Sequence, residues 1–250
     1  PNAIWVKTSG TSGKPFSFLA GNLTMDRGLS DFACLRFLMW RGKRFKNIRR
    51  MRVARIKIRS YQSENHFFVP IKDFVADPGN IVVQLARFKP EVLESYPSIL
   101  LELAQYIAAH KDLPPLTPTY AVAFGEMMPE LARKFIAETL HCEVYDRYGI
   151  EELGPIAVEC SLHNGFHINS ESVIVEITDE NSNPLPQGQY GRILVTNLYN
   201  FNMPFVRYDT GDFGKISIEP CACGLETPRI WMEGRYSKFL TFGERRIHHL

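Results

Sequence analysis

Residues 8–15 read Thr8-Ser9-Gly10-Thr11-Ser12-Gly13-Lys14-Pro15. A run of Gly, Ser and Thr can turn several backbone N–H groups and hydroxyls toward a polyphosphate, while one ammonium offsets its charge, so the residue types suit ATP. The spacing is not that of a Walker loop, which has four residues between its first Gly and a Gly-Lys pair followed by Ser or Thr. Here two residues intervene and Pro15 follows. The same composition also suits a plain flexible turn, so the loop needs corroboration from elsewhere in the chain.

A second set of reactive side chains lies far downstream. Cys160, His163, His167, Cys221 and Cys223 supply thiolates and imidazole for a tetrahedral Zn²⁺ site, and Cys221-Ala222-Cys223-Gly224 has the form of a tight metal knuckle. Four protein ligands leave no open position, so such a metal is structural. Free thiols are the competing reading. Cys34 and Cys142 sit among apolar neighbours and read as small hydrophobes.

Two further segments carry chemistry, Asp146-Arg147-Tyr148-Gly149-Ile150-Glu151-Glu152 and Arg207-Tyr208-Asp209-Thr210-Gly211-Asp212. With the loop, Phe124-Gly125-Glu126 and Gly234-Arg235, they run in order along nearly the whole chain. In this set the sequence resembles the adenylate-forming superfamily of acyl-CoA synthetase and AMP-binding enzymes. Glu159-Cys160, Gly165-Phe166-His167, Met203-Pro204-Phe205-Val206-Arg207-Tyr208 and the Cys221 knuckle make it most similar to phenylacetate–CoA ligases and capsular-polysaccharide-biosynthesis-type, coenzyme-adenylating proteins.

The resemblance implies a nucleotide site. Thr8, Ser9, Gly10, Thr11, Ser12, Gly13 and Lys14 cover the β- and γ-phosphates of ATP. Tyr148 stacks on adenine, Asp146 accepts from its amino group, and Gly125, Glu126 and Gly149 line the same pocket. Glu152 stands where a carboxylate holds Mg²⁺, a hard cation that prefers carboxylate oxygen. Asp212 matches an aspartate that accepts from both ribose hydroxyls, which needs two acceptor oxygens on one side chain. Arg235 matches an arginine contacting nucleotide near a hinge between a large and a small domain. Lys14, Glu152 and Arg235 form the implied catalytic set, and Gly165-Phe166-His167 favours His167 over His163 as the fourth zinc ligand. Two positions depart from the pattern: Glu151 replaces Ser or Thr, and Ser237 replaces the hinge Asp or Lys.

The implied reaction is ATP-dependent activation of an aromatic or other small carboxylic acid to an acyl-adenylate, with release of pyrophosphate, then transfer to coenzyme A. Two alternatives stay open: an adenylyl or acyl transferase acting on a coenzyme or cell-surface polysaccharide, and a non-catalytic nucleotide- and zinc-binding module. Tyr96, Phe124, Ile150 and Pro155 are weak candidates for the acid pocket.

Elements of both kinds must position these residues. Residues 4–7 and 16–19 read as strands flanking the loop, residues 23–40 and 97–110 have helical apolar spacing, and residues 120–124 form a strand before a helix at 129–140. Alternating strands and helices favour an α/β sheet. After about Pro155 the texture turns to β-branched strands, 173–177 and 193–196, with turn-rich segments between them. The expected fold is thus α/β: an open α/β subdomain at 1–155, a mostly β, distorted-barrel subdomain with the zinc site at 156–234, and the hinge and start of a small domain at 235–250.

Composition fits a globular chain, with 250 residues, 45% hydrophobic and 22% charged. No apolar run approaches the roughly 20 residues that cross a bilayer, and no secretory pattern opens the chain, so a cytoplasmic protein without a membrane span is expected. The chain opens at Pro1 directly before a functional-looking loop, and a fragment lacking earlier and later parts is expected. Residues 36–59 are rich in Arg and Lys with no Asp or Glu; their interleaving with Val53, Ile56 and Ile58 reads as a half-buried strand with a solvated basic face, and no nucleic-acid partner is expected. A homodimer is carried as an expectation.

Overall fold

The computed structural model of the chain describes residues 3–7, 16–21, 51–58, 66–235, 239–242 and 245–248. The phosphate loop at 8–15, the helix expected at 23–40, Cys34, most of the basic stretch and Ser237 lie outside these described residues. Two compact units emerge that are not consecutive in sequence: described residues before 37 group with those from 149 onward, while 51–148 form the other unit. The sequence texture alone put the change near Pro155.

Ile4–Lys7 (β1) and Ser17–Ala20 (β2) pair antiparallel, with Lys7 opposite Ser17. The unit at 51–148 contains Val53–Lys57 (β3), His66–Pro70 (β4), Ile71–Ala76 (α1), Pro78–Phe88 (α2), Val92–Ser95 (β5), Pro97–Ala109 (α3), Tyr120–Phe124 (β6), Glu130–Leu140 (α4) and most of Glu143–Ile150 (β7). Its strands lie in the order β4-β3-β5-β6-β7, every neighbouring pair parallel. Parallel strands buried on both faces lose apolar–polar alternation. Accordingly β5 and β6 are buried at every position.

Local chemistry sets the helix limits. Asp77 accepts the Asn80 N–H at 3.0 Å as the N-cap of α2, Pro78 occupies the first turn, and Lys89 closes the helix in the left-handed region. Helix α3 likewise opens on Pro97 and α4 follows Pro129, and His141 ends α4 with φ of 49°. Ile81, Val82 and Leu85 of α2, Leu100 and Leu103 of α3, and Ile136 and Leu140 of α4 turn inward against Ala54, Leu93 and Ala121 of the sheet. Each large aliphatic buried this way contributes about 1.5–3 kcal/mol.

The other unit continues with Gly154–Glu159 (β8), Phe166–Ile168 (β9), Val173–Thr178 (β10), Gly191–Asn197 (β11), Tyr208–Ser217 (β12) and Arg229–Arg235 (β13). Their order is β8-β9-β13-β12-β11-β10, all pairs antiparallel. Phe18, Leu153, Ile156, Val158, Val173, Ile193, Val195 and Ile230 are buried there. Phe239–Phe242 (β14) and Arg245–His248 (β15) form a separate antiparallel pair.

Candidate functional site

Open parallel sheets bind ligands beyond the carboxyl ends of their strands. In the unit at 51–148, Gly125 and Glu126 directly follow β6, and Asp146 and Tyr148 lie on β7. Gly125 has φ of 79°, and a Cβ there would sit 3.0 Å from the Tyr96 ring, so glycine is required on both counts. Glu126 accepts from the Ser98 N–H at 3.1 Å and the Ser98 hydroxyl at 3.0 Å, which caps the start of α3. The Asp146 carboxylate is buried and accepts the Arg147 N–H at 2.8 Å.

The same strand ends hold an ion cluster that the residue types did not announce. Glu94 is 3% exposed; Arg55 lies 2.5 Å and Arg147 3.9 Å from its carboxylate. Phe124 packs on Tyr96 with ring centres 5.1 Å apart, and the Arg147 guanidinium and Lys57 ammonium lie over it at 5.0 and 5.3 Å. The detectable signal is a charged residue, Glu94, directly after Val92 and Leu93 in a short strand.

In the other unit, Tyr208, Thr210 and Asp212 lie on β12 where its pairing with β11 shifts register between Asp209 and Phe213, and Thr210 and Asp212 are buried. Asp212 is buried and stands opposite Arg235 across the β12–β13 pair, Nε to Oδ1 3.1 Å. The Tyr208 hydroxyl donates to Glu152 Oε1 at 3.1 Å. Burial and the adjacent Glu152 charge push this phenol up to about 12, so it stays a donor at neutral pH. Gly149 is fixed by contact, since a Cβ there would lie 2.6 Å from the Gly154 carbonyl oxygen. Thus Gly149, Glu152, Asp212 and Arg235 share one unit, and Gly125, Glu126, Asp146 and Tyr148 share the other. Tyr208 lies in the Arg207–Asp212 motif, where its residue type alone does not mark it as the partner of Glu152.

The cysteine set comes together in full. The ligand atoms of Cys160, His167, Cys221 and Cys223 all lie within 4.8 Å of one another. Cys160 Sγ and Cys221 Sγ are 3.9 Å apart, and Cys223 Sγ is 3.4 Å from His167 Nε2. Zinc bonds of about 2.3 Å to sulfur and 2.1 Å to nitrogen set tetrahedral edges of about 3.8 and 3.6 Å, so the four groups fit that ion. His167 Nδ1 faces the Thr227 hydroxyl at 3.0 Å and its carbonyl at 3.2 Å, which orients Nε2 toward the cluster. His163 stands apart from the four and pairs with Glu159 at 3.2 Å. Burial pushes the Cys160 thiol up to about 11. For Cys221, burial is outweighed by hydrogen bonds with Cys223 and Cys160 and by the Arg229 charge, and the thiol is held below its ordinary value.

A cavity of about 400 Å³ beside β4, α1 and α2, lined by Phe67, Phe68, Asp73, Asn80 and Gln84, contains none of these residues. No helix among the described residues is long and apolar enough to cross a membrane.

No family model matches the chain. Over 161 residues it is 34% identical to phenylacetate-coenzyme A ligase of Thermus thermophilus, covering 62% of this chain and 36% of that protein. It is 24% identical over 221 residues to protein CapK of Staphylococcus aureus, covering 84% and 47%. Among solved structures, the open conformation of 2-hydroxyisobutyryl-CoA ligase in complex with 2-HIB-AMP and CoA superposes with a TM-score of 0.75 at 19% identity, covering 98% of this chain and 60% of that one. An anthranilate CoA ligase in complex with anthranoyl-AMP gives 0.67 at 16% identity, covering 98% and 49%. The chain is thus similar in sequence to phenylacetate-coenzyme A ligases and in fold to CoA ligases solved with acyl-adenylates. Its likeness to the solved structures is one of fold, and it spans 36% and 47% of the length of the two curated relatives.

Proposed function

We propose that this chain supplies the nucleotide-binding core of an ATP-dependent acid–CoA ligase. In that reaction a carboxylate oxygen attacks the α-phosphorus of ATP, the bond to the β-phosphate oxygen breaks, and pyrophosphate leaves. A coenzyme A thiolate then attacks the acyl carbon and AMP departs. Such a transfer mainly needs positioning and charge neutralisation. Asp212 accepts from the ribose hydroxyls, Tyr148 and Asp146 receive adenine with Gly125 and Glu126, Gly149 belongs to the same nucleotide set, and residues 8–14, Lys14 among them, act on the phosphates. Arg235 holds the Asp212 carboxylate in place. Mg²⁺ held at Glu152 neutralises phosphate charge when bound.

The observation that carries this reading is the buried Asp212 fixed by Arg235 on the strand whose Tyr208 holds Glu152, so that the two carboxylates proposed for ribose and metal belong to one unit. Names of relatives support the acid–CoA ligase class, and an aromatic or other small acid is the proposed substrate. Pyrophosphate release is to be measured across a panel of aromatic and short-chain acids with ATP and Mg²⁺. Release that never depends on the acid defeats the ligase reading and favours a non-catalytic module, the alternative that Glu151 motivates. Similarity to CapK over 84% of the chain favours a second reading, transfer to a coenzyme or surface polysaccharide. Finding AMP rather than the acyl group on the acceptor distinguishes it.

A structural Zn²⁺ on Cys160, His167, Cys221 and Cys223 belongs to the same proposal, as does a cytoplasmic setting in which Cys142 and these three thiols stay reduced. The ion would tie the end of β8 and the start of β9 to the segment between β12 and β13.

A further inference from the structure

Glu152 sits in a turn whose next residue is fixed from several sides. Leu153 is fully buried, and its N–H donates to the Ile150 carbonyl at 3.3 Å. Its carbonyl accepts from the Tyr199 hydroxyl at 2.8 Å and from Asn197 Nδ2 at 3.3 Å. Asn197 Oδ1 in turn accepts the N–H groups of Tyr199 at 2.9 Å and Asn200 at 2.8 Å. Asn200 Nδ2 reaches the Leu19 carbonyl on β2 at 3.2 Å. Two asparagines, Asn197 and Asn200, therefore tie the Glu152 turn to β2.

The side chain is held separately. Tyr208 donates to Oε1 of Glu152 and packs edge-on against Phe205, ring centres 5.1 Å apart; Phe205 meets Phe18 at 5.7 Å, and Phe18 stacks on Phe16 at 6.3 Å. The phenol oxygen is thus immobilised by its own ring contacts. Oε2 of Glu152 accepts no hydrogen bond from the described residues.

We infer that Tyr208, backed by Tyr199 and Asn197, is a positioning residue that fixes one oxygen of Glu152 and presents the other to a divalent cation on the nucleotide phosphates. A carboxylate restrained in this way spends less conformational freedom when it takes up the ion. Partners behind a metal ligand change metal affinity by about 10–100-fold when removed. The inference rests on the reading of Glu152 as the magnesium carboxylate.

The test is calorimetric binding of ATP with and without Mg²⁺, and of AMP, to the wild-type chain, Glu152→Gln, Tyr208→Phe and Tyr199→Phe, with folding checked by thermal melting. Wild type should bind ATP more tightly with Mg²⁺, and Glu152→Gln should lose that gain. Tyr208→Phe should lose about tenfold in Mg²⁺-dependent ATP affinity and Tyr199→Phe about threefold, with AMP affinity unchanged within twofold. If Glu152→Gln keeps the full Mg²⁺ gain, the reading of Glu152 fails. If Glu152→Gln loses the gain while Tyr208→Phe keeps it, only the positioning inference is overturned. Should Tyr208→Phe not fold, Tyr199→Phe decides, and wild-type Mg²⁺ dependence in it overturns the inference.

Discussion

Arg235 Nε lies 3.1 Å from Asp212 Oδ1, and Arg235 Nη1 donates to the Thr210 carbonyl at 2.7 Å, so one guanidinium grips both a buried carboxylate and the backbone beside it. The arrangement fixes the Asp212 carboxylate on β12. Asp212→Asn keeps the shape but offers one acceptor oxygen and no charge. Hydrogen bonds to charged groups contribute about 1.5–3 kcal/mol, so AMP affinity should fall roughly 10–150-fold by calorimetry, with little change in melting temperature. Unchanged affinity would remove Asp212 from the ribose site.

The cysteine cluster is tested by elemental analysis. Protein purified without chelator should carry about one zinc per chain. His167→Ala should lose it and melt several degrees lower, whereas His163→Ala should retain it, because His163 pairs with Glu159 outside the four ligands. Zinc near zero in the wild type refutes the site.

Glu94 offers a test confined to the parallel unit. Removing the carboxylate leaves two guanidiniums, only 11% and 10% exposed, without their anion. Glu94→Ala should destabilise the unit at 51–148 by about 3–5 kcal/mol in urea unfolding, and Glu94→Gln by less. A Glu94→Ala loss below 1 kcal/mol would show that the cluster relaxes cheaply.

Alkaline pH should weaken the fold. Burial, and then the Glu143 charge, push the Tyr120 phenol up to about 12, and burial pushes the Cys142 thiol up to about 12. Both groups keep their protons in the folded chain at pH values where the unfolded chain has lost them. Their stabilisation is therefore complete below about pH 9 and is lost as pH rises toward 12. Melting temperature should hold steady to pH 9 and fall several degrees by pH 11, less steeply in Cys142→Ala.

Regular elements were legible because their signals are local. The helix expected at 97–110 is Pro97–Ala109, and the strand expected at 120–124 is Tyr120–Phe124, set by periodicity and proline placement. Cys160, His167, Cys221 and Cys223 were legible because few residue types bind zinc, and the geometry separates His167 from His163. What stayed hidden depends on register. Tyr208 faces Glu152 across 56 residues of sequence, and Asn197 meets Leu153 across 44. Neither tyrosine nor asparagine has a composition signal that names a carboxylate or carbonyl partner. The unit boundary was hidden for a similar reason, since β1 and β2 join a unit whose remaining strands begin beyond residue 148.

That arrangement fixes an order of events during synthesis. Leu19 waits for Asn200, its partner 181 positions later, and Phe18 waits for Phe205. The unit at 51–148 has all its parallel partners by the time β7 leaves the ribosome, whereas β1 and β2 lack these two partners until residues 200 and 205 have emerged. Phe18 on β2 is therefore an apolar surface that a chaperone could meet on the nascent chain during that interval.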